Sequence, residues 1–250
     1  MIKKIVKNMA GVLGIELVRS QRLDQLLGVE IGVAELLHDL IKSSGVEGQS
    51  KAQLHQDIIV LLATNFKRNG FFVEFGATNG IDLSNTYLLE KSYGWKGILA
   101  EPAKVWHDDL RKNRSVDIDF SCVWKVSNDV VNFNMVDCAE LSTISEFSDR
   151  DQHSKARTNG VTYEVETISL NDLLEKYDSP THIDYLSIDT EGSEFEILNG
   201  FDFNKYDISI ISCEHNYTKD RERIFKLLSD NGYDRKFTGL SKWDDWYFKA

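Results

Sequence analysis

The spacing of apolar residues changes once along this chain. Up to about residue 69 they recur at helical intervals: Ile2, Ile5, Val6, Met9 and Leu13, then Leu23, Leu26, Leu27, Leu36, Leu37, Leu40 and Ile41, then Leu54, Ile58, Leu61, Leu62 and Phe66. Each set lines one side of a helix. Residues 1–69 are therefore expected to form an N-terminal helical extension, with the polar stretch 43–50 as a linker and Gly70 as a stop. From residue 71 short apolar runs alternate with amphipathic stretches. Runs 71–75, 97–100, 118–123, 183–188 and 208–213 read as strands buried on both faces, and helices are expected near 83–93, 103–113, 169–177, 193–199 and 218–231. This alternation predicts an α/β domain over residues 70–250, a mostly parallel sheet covered by helices.

Charge narrows the partners. With 29 Lys and Arg against 40 Asp and Glu, the 250-residue chain carries −11, so no nucleic-acid partner is expected. Within residues 1–22 the sign reverses, because Lys3, Lys4, Lys7, Arg19 and Arg22 face Glu16 alone. That end reads as a basic helix docked on its own domain, with weak peripheral contact to a membrane surface as the alternative. Cys122, Cys138 and Cys213 are odd in number and form no CxxC pair. A reducing, cytoplasmic setting fits them better than a disulfide framework, and no metal site is expected. Oligomeric state leaves no mark in the sequence.

In a parallel sheet, ligands sit beyond the carboxyl ends of the strands. The first strand ends in Glu74-Phe75-Gly76-Ala77-Thr78-Asn79-Gly80, a GxxxG turn with Thr78 at the position of the middle glycine of a dinucleotide loop. Its leading acid would repel phosphate and suit a cationic ligand such as S-adenosylmethionine; an ordinary strand-to-helix turn is the plainer reading. The second strand ends in Glu101, 27 residues beyond Glu74, where a carboxylate can accept both ribose hydroxyls of an adenosine. Ser121 and Cys122, at the end of the third run, are candidates for an adenine pocket.

The segments VEFGATNGIDLSNTYLLEKSYGWKGILAEP, LNDLLEKY and IDYLSIDTEGSEFEILNG resemble the FkbM-type family of S-adenosylmethionine-dependent methyltransferases over roughly residues 70–215. The resemblance implies a Rossmann-like class I methyltransferase with a seven-stranded sheet ending in an antiparallel hairpin, for which 232–237 and 246–249 are the candidates. It also implies that Glu74, Gly76, Gly80 and Glu101 occupy cofactor positions, together with the turn residues between the glycines, and that Asp189 is the acid closing the fourth strand.

Beyond the fourth and fifth strands stand Asp189, Glu191 and Glu194, and Glu214, His215 and Asn216. Asp189 and Glu191 on one face could raise each other's pKa, hold an ammonium or bind a divalent ion, whereas Glu194 suits the first turn of a helix. His215 is the expected general base, and His38, His55, His107, His153 and His182 are expected to have structural roles. The polar stretch 134–165 is too long for an ordinary connection and reads as either a flap over the acceptor or a surface loop. Together these features lead to an expected O-methyltransferase acting on a hydroxyl of a small-molecule or glycan acceptor; that the acceptor is a sugar or glycan precursor is implied by the resemblance alone. The alternatives are a nicotinamide-dependent Rossmann oxidoreductase, and a non-catalytic binding module of the same fold.

Overall fold

The computed structural model describes Lys42, residues 46–239 and residues 242–250. The basic N-terminal segment and its docking or membrane contact lie outside them. The chain divides into two compact units, 1–49 and 50–250, and the second holds every element named below. In chain order these are α1 (Gln56–Ala63), β1 (Phe71–Phe75), α2 (Tyr87–Tyr93), β2 (Lys96–Ala100), α3 (His107–Asn113), β3 (Asp117–Asp119), β4 (Cys122–Trp124), β5 (Val130–Met135), β6 (Thr143–Ile144), β7 (Val161–Ser169), α4 (Leu170–Lys176), β8 (His182–Ile188), α5 (Glu194–Asn199), β9 (Asp207–Glu214), α6 (Asp220–Asp230), β10 (Tyr233–Lys236) and β11 (Asp244–Lys249). Among the described residues no helix is long and apolar enough to cross a membrane.

Seven strands form the main sheet in the order β10-β11-β9-β8-β1-β2-β3. All neighbours are parallel except around β11, which runs antiparallel to both β9 and β10. The sheet thus follows the class I methyltransferase plan, and the terminal hairpin falls where its sequence pattern put it. The core forms where the apolar runs meet the helices. Val73, Phe75, Ile98, Ile183, Leu186, Ile188, Ile208 and Ile211 pack with Leu170, Leu173 and Leu174 of α4, Ile197 and Leu198 of α5, and Ile224 and Leu228 of α6.

The apolar run 118–123 is not one strand. β3 ends at Asp119 and pairs with β2, whereas β4 starts at Cys122 and pairs with β7 in a second, four-stranded sheet ordered β4-β7-β5-β6. The backbone N–H of Ser121 donates to the Asp119 carboxylate at 2.8 Å and turns the chain between the sheets. Cys122, Trp124, Phe133, Ile144, Phe147 and Val165 then build a small separate core. The stretch 134–165 belongs to this second sheet, carrying β6, the start of β7 and two 3-10 turns, Ala139–Leu141 and Ser145–Phe147. Hydrophobic periodicity missed it because β6 is two residues long and the start of β7 is largely solvent-facing.

One cation ties the loop after β1 to its surroundings. The Arg114 side chain is fully buried and pairs with Glu90 at 2.5 Å and with Glu74 at 3.7 Å. It also donates to the carbonyl of Gly80 at 3.2 Å, Ser84 Oγ at 3.0 Å and Thr86 Oγ1 at 2.9 Å. Removing it would leave Glu74 buried without its counter-charge, a loss that typically costs about 3–5 kcal/mol. Arg114→Ala should therefore lower the unfolding free energy by about that amount, measured by denaturant titration; a loss below about 1 kcal/mol would show that the loop holds itself together.

Candidate active site

Four strand ends and the second sheet enclose a cavity of about 250 Å³. One wall comes from the ends of β1, β2, β8 and β9: Glu74, Phe75, Gly76, Thr78, Ala100, Glu101, Asp189, Thr190, Glu191 and Glu214. The opposite wall comes from the second sheet and its connections, through Cys122, Phe133, Glu140, Leu141, Ser142, Ile144, Gln152 and His153, with Gln53 and Trp243 also contributing.

The loop after β1 reaches its shape through left-handed backbone. Gly76, Thr78 and Gly80 have φ of 75°, 47° and 80°. Gly76 is required on a second count: a Cβ there would lie 2.0 Å from the carbonyl oxygen of Asp189, so the loops after β1 and β8 touch backbone to backbone. At Gly80 the space for a Cβ is filled by Leu110 and Arg114. Both glycines thus serve packing within the protein, and of the two only Gly76 lines the cavity. Thr78 takes the left-handed conformation without being glycine. Its amide donates to Glu101 Oε2 at 2.8 Å and its hydroxyl donates to the Asp82 carbonyl at 3.0 Å, which offsets the strain of the conformation.

Glu101 is 4% exposed. Its two oxygens accept from the amides of Thr78 and Ala103, each at 2.8 Å. Burial pushes its pKa up to about 7, against the lowering effect of those amides. Each oxygen keeps lone pairs for a further donor, so the carboxylate is pre-aimed for a diol such as ribose. Glu74 is committed differently. It accepts from the Asn85 amide at 2.6 Å, from Ser84 Oγ at 3.1 Å and from the Thr86 hydroxyl. Burial raises its pKa, with Arg114 opposing. Its carboxylate shapes the wall rather than waiting for a ligand.

The acids beyond β8 and β9 converge. Asp189, Glu191 and Glu214 each bring a carboxylate oxygen within 4.8 Å of the others. Burial pushes Asp189 and Glu214 well above the carboxylate range; the charge of Glu191 raises both further and Asp189 raises Glu214, while a hydrogen bond with Glu214 works the other way on Asp189. Glu191 is held by Arg157, at 2.7 Å, and by Asn216 Nδ2, at 3.0 Å; burial still lifts its pKa to about 8. Arg157, in the second sheet's long connection, also pairs with both oxygens of Asp151 and donates to the Leu141 carbonyl at 2.7 Å. It thereby fastens the second-sheet wall to the acid loop. Glu194 closes that loop by accepting from the amides of Thr190 and Gly192 and from the Thr190 hydroxyl.

Four of the expected cofactor-side residues do not line the cavity. Ala77 is buried beneath the loop. Asn79 caps its own turn through the amides of Ile81 and Asp82. Gly80 packs on α3, and Ser121 faces a second cavity with Asp119, Lys176 and Tyr177. His215, expected as the general base, is also off the cavity wall. Its Nδ1 accepts from the Tyr217 amide at 3.0 Å, its Nε2 lies 3.8 Å from Asp245, and burial lowers its pKa. The backbone turns left-handed at Asn216 and Tyr217 directly after it. His153, expected to be structural, is instead the histidine on the wall among the described residues. No sequence signal marked His153, Arg157 or Trp243, because their roles depend on how the second sheet folds back.

The family described as "Methyltransferase FkbM domain" matches residues 74–235. No curated protein matches the chain. Among solved structures, the precorrin-6y C5,15-methyltransferase from Geobacter metallireducens is 10% identical with a TM-score of 0.43, the overlap covering 77% of this chain and 88% of that one. An O-methyltransferase from Bacillus cereus in complex with SAH (S-adenosylhomocysteine) is 14% identical with a TM-score of 0.42, covering 85% of this chain and 87% of that one.

Two outcomes follow from Glu101. Its folded pKa of about 7 exceeds the ordinary value of 4.5, so between these values the folded form holds a proton that the unfolded form has lost. Its contribution to stability therefore declines as pH rises through that window. Glu101→Gln should gain stability relative to wild type from about pH 4.5 to about pH 7, read from paired melts; a pH-independent difference would contradict the shift. Glu101→Ala should weaken S-adenosylhomocysteine binding by about 1.5–3 kcal/mol, measured by calorimetry.

Proposed function

Because the chain belongs to the family of FkbM-domain methyltransferases, whose methyl donor is S-adenosylmethionine, we infer that it methylates a hydroxyl of a polar acceptor, a sugar or glycan precursor. The observation that supports this reading is the composition of the acceptor-side wall. Glu140, Ser142, Gln152 and His153 face the strand-end acids across one cavity, with Trp243 beside them. Such a wall offers donors and acceptors to several hydroxyls and an indole surface to the faces of a sugar ring.

Bound S-adenosylmethionine supplies a methyl carbon activated by positive sulfur. The chain must hold the donor, align the acceptor oxygen and remove its proton. Glu101 accepts the ribose hydroxyls, and the loop at Gly76 and Thr78 shapes the space beside it. His153 takes the acceptor proton, since its imidazole is on the cavity wall and a neutral imidazole nitrogen can act as a general base. The acids beyond β8 and β9 provide the negative field in which a cationic donor is favoured.

The test uses the full chain, methyl-labelled S-adenosylmethionine and a set of free and nucleotide-linked sugars, with the product analysed for a methyl ether. His153→Ala should lower kcat by roughly 10² to 10⁴, while His215→Ala should keep it within about tenfold. Methylation at nitrogen or carbon, or the reverse ranking of the two histidines, would overturn the reading.

A further inference from the structure

The acids beyond β8 and β9 are more numerous than the loops need. Glu194 closes its loop and Glu191 has Arg157 and Asn216. Among the described residues, no lysine, arginine or histidine forms an ion pair with Asp189 or Glu214. Glu214 is 6% exposed and its side chain is on the cavity wall. Its Oε2 is buried with no hydrogen-bond partner, and an unpaired buried carboxylate oxygen is expensive.

We propose that Asp189, Glu191 and Glu214 form a binding site for a divalent cation, one oxygen from each meeting at the cavity wall within 4.8 Å of the others. The sequence led to the opposite expectation, since these acids come from two strands 25 residues apart and share no metal-ligand spacing. Three oxygens and no sulfur or imidazole select a hard ion, Mg²⁺, Mn²⁺ or Ca²⁺, which keeps water or a substrate oxygen in its remaining positions. The site stands on this geometry. Its role, lowering the pKa of the acceptor hydroxyl so that His153 can take the proton, rests on the hydroxyl-acceptor reading above. The other cation that could occupy the acids is the ammonium of the donor's methionine end, and the experiment separates the two.

The full chain is titrated with Mn²⁺ alone, free Mn²⁺ being followed by electron paramagnetic resonance, with and without saturating S-adenosylhomocysteine. One Mn²⁺ per chain should bind in both conditions. Glu214→Gln and Asp189→Asn, each checked for a wild-type melting transition, should weaken binding by about 10- to 100-fold. Absence of stoichiometric binding, or binding insensitive to both substitutions, would overturn the proposal. So would expulsion of Mn²⁺ by S-adenosylhomocysteine, which would assign the acids to the ammonium. The readout needs no acceptor: bound Mn²⁺ without hydroxyl methylation would remove the functional reading and leave the site standing.

Discussion

Buried negative charge is the constraint around which this domain is arranged. Glu74, Glu101, Glu191, Glu194, Glu214 and Asp244 are all buried near one edge of the sheet, and among the described residues the arginines buried with them are Arg114 and Arg157. A carboxylate taken out of water must be protonated, hydrogen-bonded or paired, and all three solutions occur. Arg114 supports Glu74; two amides hold Glu101; Arg157 holds Glu191; Gln56 donates to Asp244 at 2.7 Å. Asp189 and Glu214 share a hydrogen bond with each other but have no cation paired with them among the described residues, and both line the cavity.

The two arginines tie different walls of the cavity together. Arg114 comes from the segment after α3 and locks the loop that follows β1, so that wall is set by the main sheet alone. Arg157 comes from the second sheet's long connection and reaches an acid of the main sheet, so the other wall is assembled only when both sheets are in place. The small core of Trp124, Phe133, Ile144 and Phe147 therefore supports the cavity at a distance, by fixing where Arg157 stands.

What was legible in the sequence follows from what produces a local signal. β1, β2, β8 and β9 are buried on both faces, so their apolar runs stand out, and the acids that follow them could be found by reading one step past each run. Glu101 and Asp189 were identified in this way, and both line the cavity. In the second sheet β5 and the start of β7 are largely exposed and β6 has two residues, so its polar residues read as loop and His153 as structural. For His215, sequence position places a residue at the end of a strand but does not say which way its side chain points, and the imidazole lies beside Asp245 of β11, off the cavity wall. The run 118–123 failed because apolar character does not reveal which of two sheets a strand joins.

The contact between Gly76 and the Asp189 carbonyl bears on how this domain can diverge. Any side chain at position 76 would displace the backbone that carries the acids, so donor loop and acid loop are inherited as one unit and neither can drift without the other. The segment 139–157 meets the acid loop through side chains, Arg157 and Thr143 among them. New acceptor preferences are therefore accessible by substitution along that segment while the donor half stays as it is, which allows a lineage to change what it modifies and keep how it modifies it.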